Sequence, residues 1–368
     1  MKVLALASYP VEAAATRYRL EQFIAPLAER GITLKVSPFL NSRQFASLYN
    51  RKRLPRTALG LVGSTLRRFG NVIQAQNADV VLVQREAMLF GPPFFEWLTG
   101  RLGKRPLVLD LDDATYVSYT SPTYGRLGSL LKWFSKTDEL IRWARVVTCG
   151  NRAIAEYVSG KGGRARVIPT VVDLERFRPR AAAAGSGPPV LGWVGTHSTF
   201  KYLAMIFPAL RELARTVPFR LKIVGAGVEK IELPGVEVEN LSWNMEREIE
   251  DFRSLDIGLY PIDAKLYADN WAAGKSGFKA IQYMAVGIPY VVSPVGACVE
   301  IGEAGLTHLF ASTPTEWTAA LKDLLTDEAK RRRMGEAGRR HAEEHYNVPL
   351  QADKLAAALG EAAGNAGA

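Results

Sequence analysis

Three short stretches of this 368-residue chain have the composition of anion-binding turns. Gly192-Trp193-Val194-Gly195-Thr196-His197-Ser198-Thr199-Phe200-Lys201 reads as a buried strand, a glycine turn with small hydroxyl side chains, and the start of a helix. A junction of this kind offers backbone N–H groups to a phosphate. Its glycine lets the backbone approach closely and Lys201 adds a positive charge, although strand-to-helix glycine turns also arise for purely steric reasons. Gly225-Ala226-Gly227, after the apolar run Leu221 to Val224, is a second such turn. Gly274-Lys275-Ser276-Gly277-Phe278-Lys279 is the third, opening a helix over Phe278 to Ala285. Its lysines flank Gly277 and suit a diphosphate leaving group, while the amide of Gln282, one turn inside, can bond a sugar hydroxyl.

Such turns need sheets to hold them. Short β-branched or apolar runs alternate with amphipathic stretches along the whole chain: Lys2 to Ala7, a helix from about Thr16 to Arg30, Thr33 to Ser37, then Val80 to Gln84, Pro106 to Leu111 and Arg145 to Thr148. The rhythm repeats at Val190 to Val194, Arg220 to Val224, Val236 to Glu239, Ile257 to Tyr260 and Tyr290 to Ser293. This is the βαβ pattern of parallel sheets, and it predicts two Rossmann-like, doubly wound α/β domains separated by the Ala/Gly/Pro segment Ala181 to Pro189. The expected domains are 1–180 and 190–347. Ligands of doubly wound sheets sit at the carboxyl ends of the strands, so a two-domain arrangement places its site in the cleft between them.

Composition narrows the class. With 48% hydrophobic and 23% charged residues the chain can bury real cores, and its 2 cysteines, Cys149 and Cys298, exclude a disulfide scaffold. A reducing, cytoplasmic setting fits. The apolar run Val3 to Ala7 is too short for a signal-peptide core, and the charge-free stretch Ala280 to Val299 is interrupted by Gly287, Pro289, Pro294 and Gly296, so neither a cleaved leader nor a membrane span is expected.

Charge is unevenly shared. Residues 1–180 hold 28 Lys+Arg against 14 Asp+Glu, whereas residues 181–368 hold 19 against 23. Between Glu29 and Asp79 there is no acidic residue, while Arg30, Lys35, Arg43, Arg51, Lys52, Arg53, Arg56, Arg67 and Arg68 are basic, interleaved with Leu54, Leu59, Leu61, Val62, Leu66 and Phe69. Residues 30–78 therefore read as a contact for an anionic membrane surface, or more simply as a solvated basic helix. Nucleic acid is not the expected partner, because no reading motif accompanies the bases and the phosphate turns lie in the acidic half.

Two longer segments resemble a known family. Val167-Ile168-Pro169-Thr170-Val171-Val172-Asp173-Leu174-Glu175-Arg176-Phe177-Arg178-Pro179 is similar to the "IPNGVDxxxFxP" bridge of the nucleotide-sugar-dependent glycosyltransferases of the GT-B fold, family 4. Tyr283-Met284-Ala285-Val286-Gly287-Ile288-Pro289-Tyr290-Val291-Val292 is similar to their "EAMAxGxPVV". Leu321 to Leu325 and Met334 to Arg339 look like the family's closing helices, and the helix in 348–368 like the one that crosses back to the first domain. The departures mark a divergent branch. Gly274 and Gln282 stand where relatives carry two glutamates, and Thr196 and His197 where Gly-Arg is usual.

The resemblance implies transfer of a sugar, with retention, from a UDP- or GDP-linked donor to a hydroxyl of a glycan or lipid-linked acceptor, as in cell-surface polysaccharide or glycolipid assembly. It implies no cofactor beyond the donor substrate and no essential metal. The donor contacts would be Gly195, Thr196, His197, Lys201, Gly225, Gly227, Trp243, Lys275, Ser276, Gly277, Phe278, Lys279 and Gln282, with Lys275 also stabilising the leaving group. All four histidines lie in the second half, so Asp112, Asp113 and Glu86, at the ends of first-half strands, take the place of the histidine that relatives aim at the donor. A helix N-cap at Asp113 and an ion pair to Arg85 or Arg105 would explain these carboxylates structurally. Tyr9, Thr16, Arg17, Arg19 and Arg85 fall where relatives contact the acceptor and diphosphate. The alternatives are a sugar-nucleotide epimerase or hydrolase on the same fold, and a non-catalytic sugar-nucleotide-binding module.

Overall fold

A computed structural model describes residues 1–48, 54–120, 125–179, 187–263 and 274–364, with the side chains of 54–59 and 127 excepted. The expected linker lies outside the described residues as far as 186, as do Arg51, Lys52 and Arg53. The chain forms two compact units, Met1–Thr170 with Val348–Ala368, and Val171–Asn347.

The first unit holds six parallel strands, β1 (Lys2–Ala7), β2 (Thr33–Pro38), β3 (Val80–Gln84), β4 (Leu107–Leu111), β5 (Val146–Cys149) and β6 (Ala165–Val167), in the order β2-β1-β3-β4-β5-β6. Every residue of β3, β4 and β5 is buried, the mark of a parallel sheet covered on both faces. Leu4, Leu6, Val81, Val83, Leu109 and Val147 form its core with Ile141, Ile154 and Val158 from the covering helices.

The helix expected from Thr16 to Arg30 is broken into Ala14–Arg19, a 3-10 turn Glu21–Phe23, and Ile24–Glu29. Pro26 is the reason: without an N–H it fits only the first turn of a helix, so a new one starts just before it.

The second unit holds β7 (Val190–Val194), β8 (Arg220–Val224), β9 (Glu237–Leu241), β10 (Ile257–Tyr260), β11 (Tyr290–Val292) and β12 (His308–Phe310), also parallel, in the order β12-β11-β10-β7-β8-β9. Counted from β7 this is the 3-2-1-4-5-6 order of the doubly wound nucleotide-binding fold, with its switch point between β7 and β10. The helix Phe278–Ala285 connects β10 to β11. Because both strands run the same way, the helix runs against them and begins at their carboxyl edge. Among the described residues, no helix is long and apolar enough to cross a membrane.

Candidate functional site

Register builds the carboxyl edge of the second sheet. Val194 pairs with Val224 and Val224 with Leu241, so the residues that follow β7, β8 and β9 emerge side by side. Gly195 N–H then donates to Val224 O at 2.9 Å and Gly225 N–H to Leu241 O at 2.8 Å. Gly225 has φ +83°, and a Cβ there would lie 2.3 Å from Gly195 O and 3.5 Å from Trp243 Cβ. Gly227, at φ +73°, would bring a Cβ within 2.6 Å of His197 Cβ. Only glycine permits this contact between the two turns.

The structure thus brings Gly195, His197, Gly225, Gly227 and Trp243 together. Thr196 and His197 are exposed and Trp243 is half-buried. Thr196 N–H donates to Thr199 Oγ1 at 3.1 Å, shaping the turn before the helix Phe200–Met205, where exposed Lys201 lies over the Tyr202 ring. Gly195 also has a steric role, since a Cβ there would fall 2.1 Å from the buried Trp193 ring.

The helix Phe278–Ala285 starts at Gly277, an N-cap in the left-handed conformation whose Cβ would collide with Ile301. Tyr283 anchors the helix across the switch point, donating to Leu259 O at 3.0 Å and Gly192 O at 3.3 Å. Lys275, Ser276 and Phe278 are half-buried around its start. Lys279 is half-buried beside them. Its ammonium faces the Phe252 ring at 6.0 Å, and burial pushes it down to about 8 against the pull of Glu248. Gln282 is buried within the same helix.

The carboxyl edge of the first sheet carries a chain of ion pairs. Arg85 follows β3 in the left-handed conformation, φ +61°, and grips Asp112 with two hydrogen bonds of 2.5 and 2.7 Å. Burial alone would raise the Asp112 carboxyl, but Arg85 and then Arg19 outweigh it and hold the group below its ordinary value. Asp112 is therefore a fixed anion. Glu86 is buried between Lys132 and Lys136, the latter at 2.6 Å. Asp113 is half-buried and accepts from Ala114 N–H at 3.0 Å. No helix follows it, so it is not the N-cap that its sequence suggests.

Two of the acceptor-side residues are held within the first unit. Arg19 is 3% exposed, with its guanidinium on both Asp110 oxygens and on Ile168 O, so it braces β4 against the chain after β6. Thr16 is fully buried and donates to Tyr9 O at 2.8 Å. Arg17 holds Val11 O and Glu12 O, while the half-buried Tyr9 packs edge-on to Phe45.

Sequence reasoning missed Arg339. From the helix Glu328–His345 it donates to Phe177 O at 2.7 Å, Ala285 O at 2.6 Å and Leu174 O at 3.2 Å, binding the two family-like segments to one another. Its carbonyl partners are main-chain atoms, which no side-chain pattern announces.

Residues 188–327 match the family described as glycosyl transferases group 1. The fold is similar to that of a glycosyltransferase from Rickettsia africae, at 14% identity over 99% of each chain and a TM-score of 0.70. It is similar to HepE from Anabaena in complex with UDP-glucose, at 17% identity over 97% of this chain and 98% of that one, with a TM-score of 0.67. It is also similar to α,α-trehalose 6-phosphate synthase from Burkholderia multivorans, at 14% identity over 100% and 99% of the chains, with a TM-score of 0.62. No curated protein matches the sequence. The match to the group 1 glycosyl transferases thus falls on the second unit, in a chain with the GT-B fold.

Proposed function

We propose that this protein transfers a glycosyl group from a UDP- or GDP-linked sugar to a hydroxyl of a glycan or lipid-linked acceptor. The observation that carries this reading is the meeting of Gly195, Gly225, Gly227, His197 and Trp243 at one sheet edge, inside the stretch that matches the glycosyltransferase family. There the turn N–H groups and the start of the helix at Gly277 receive the diphosphate, Trp243 flanks the base, and Lys201 and Lys275 offset the charge that grows on the leaving group. The complex of HepE with UDP-glucose supports a UDP-linked donor.

In the reaction the acceptor oxygen bonds to the anomeric carbon, the bond from that carbon to the diphosphate oxygen breaks, and the nucleoside diphosphate departs with the electron pair. The acceptor proton passes to the departing phosphate oxygen on the same face, which gives retention. Asp113 and Tyr9 orient the acceptor hydroxyl, while the Arg85–Asp112 pair keeps the carboxyl edge of the first sheet in shape. With lysines and a helix start meeting the phosphate charge, transfer proceeds without a metal and persists in EDTA. A cytoplasmic enzyme of cell-surface polysaccharide or glycolipid synthesis fits this chemistry.

The test is a thermal-shift screen against UDP, GDP, ADP and their sugar conjugates, since a ligand bound only by the native state raises its melting temperature. One nucleotide should raise it selectively, and Lys275→Ala should abolish the rise. No rise with any of them would sink the donor site.

A further inference from the structure

Over its described side chains, the helix Leu54–Ala75 turns several polar residues inward. Among its described side chains Ser64, Arg68, Asn71 and Ala75 are buried, each 6% exposed or less. Arg68 donates to Ala7 O at 2.6 Å, Ala87 O at 2.7 Å, Ser37 O at 2.9 Å and Asn71 Oδ1 at 3.0 Å, so it ties the ends of β1 and β2 and the loop after β3 to the helix. On the opposite side Val62, Leu66, Phe69 and Ile73 are 44 to 73% exposed. Steps of four, three and four residues make these four one continuous stripe on a helix of 3.6 residues per turn.

Packing within the unit leaves that stripe unexplained, because a surface helix ordinarily gives water its polar face. The stripe also extends beyond the helix. The Phe69 ring meets that of Phe94 at 6.2 Å, and Phe94 stacks with Trp97 at 6.4 Å, both of them exposed. Arg43, Arg67, Arg101 and Lys104 are exposed on the same and neighbouring segments. Of the three acidic residues between positions 30 and 104, Glu86 and Glu96 are buried, which leaves Asp79 as the one exposed carboxylate.

Apolar anchors with aromatic rings, surrounded by bases almost free of acids, complement a surface that is apolar beneath and anionic above. A second copy of the chain would instead set two basic surfaces face to face, and their like charges repel. We propose that the stripe Val62, Leu66, Phe69 and Ile73, with Phe94 and Trp97, docks on an anionic lipid bilayer. This docking is independent of which donor the second unit binds.

The test is flotation of the full chain with phosphatidylcholine vesicles, with and without phosphatidylglycerol, followed by light scattering. The wild type should float with the anionic vesicles and not the neutral ones, and high salt should weaken binding. Leu66→Ser with Ile73→Ser, both at exposed sites, should keep the melting temperature and reduce the bound fraction about tenfold or more. Arg101→Glu with Lys104→Glu should weaken binding as well, a check that does not depend on the first variant folding. Wild-type protein that stays with the soluble fraction, or substituted protein that floats like wild type, would overturn the proposal. A wild-type dimer that Leu66→Ser with Ile73→Ser converts to monomer would overturn it too, by assigning the stripe to a second copy.

Discussion

Asp112 shows how a residue with the right type and place for chemistry can be committed elsewhere. It stands immediately after β4 with its side chain 9% exposed, and the two short bonds from Arg85 leave a carboxylate that is already paired. A group whose native carboxyl titrates below its unfolded value contributes stability above the unfolded value, and that contribution is lost as pH falls through the native one. Asp112 should therefore help to stabilise the protein at neutral pH and stop doing so below the ordinary carboxyl value of 3.8. Asp112→Asn leaves a largely buried guanidinium without its anion, which typically costs about 3 kcal/mol or more. Urea unfolding at pH 7 should show that loss, and the difference from wild type should shrink as the pH is lowered beneath 3.8. An unchanged midpoint would mean that the pair contributes nothing. The pairing itself was among the sequence alternatives, but Arg85 shares it with no helical or strand spacing. It depends on β3 and β4 being neighbours, and that adjacency is a property of the sheet.

At the level of elements, the strands were legible because burial on both faces demands continuous apolar runs. Lys2–Ala7, Val80–Gln84, Val190–Val194, Arg220–Val224 and Ile257–Tyr260 have the expected bounds. Ala165–Val167 and His308–Phe310 went unseen, since three residues at a sheet edge carry too little pattern. The helix Leu54–Ala75 misled in a different way: the sequence showed bases and apolar residues interleaved, yet among its described side chains the base Arg68 is buried, held by main-chain oxygens, while Val62, Leu66 and Phe69 are exposed. Contacts between backbones are equally silent in sequence. Gly287, at φ +71°, meets Gly335 of the helix Glu328–His345 so closely that a Cβ on Gly335 would lie 2.1 Å from Gly287 O. Neither backbone can retreat cheaply, because Arg339 on that helix also holds Ala285 O and Phe177 O. Gly335→Ala should accordingly destabilise the protein by about 2 kcal/mol or more, although alanine is the better helix former by about 1 kcal/mol. Thermal unfolding measures it, and a variant as stable as wild type would show that the helix can shift away from Gly287.

At the scale of the whole molecule, the chain's last helix, Val348–Ala363, belongs to the unit it does not follow in sequence. It packs on β3, β4, β5 and the helix Ile24–Glu29. Arg30 meets Asp353 at 2.6 Å, Arg145 donates to Ala362 O at 2.9 Å, and Arg164 reaches Glu361 at 2.9 Å. The two ion pairs are exposed and add little, so the attachment rests mainly on the apolar face, where Ala352, Leu355, Ala358, Leu359 and Ala362 are buried. In the sequence, both this helix and its crossing back were implied by the family resemblance alone. Leu359 is fully buried, and Leu359→Ala should cost about 2–5 kcal/mol through lost burial and the cavity left behind. The cost should fall on one unit. In native-state hydrogen exchange the amides of β3, β4 and β5 should lose protection, while those of β7, β8 and β10 keep theirs, because the helix contributes to the first core and not the second. Equal loss in both sheets would mean that the two cores open together, and the last helix would then be stabilising the entire chain.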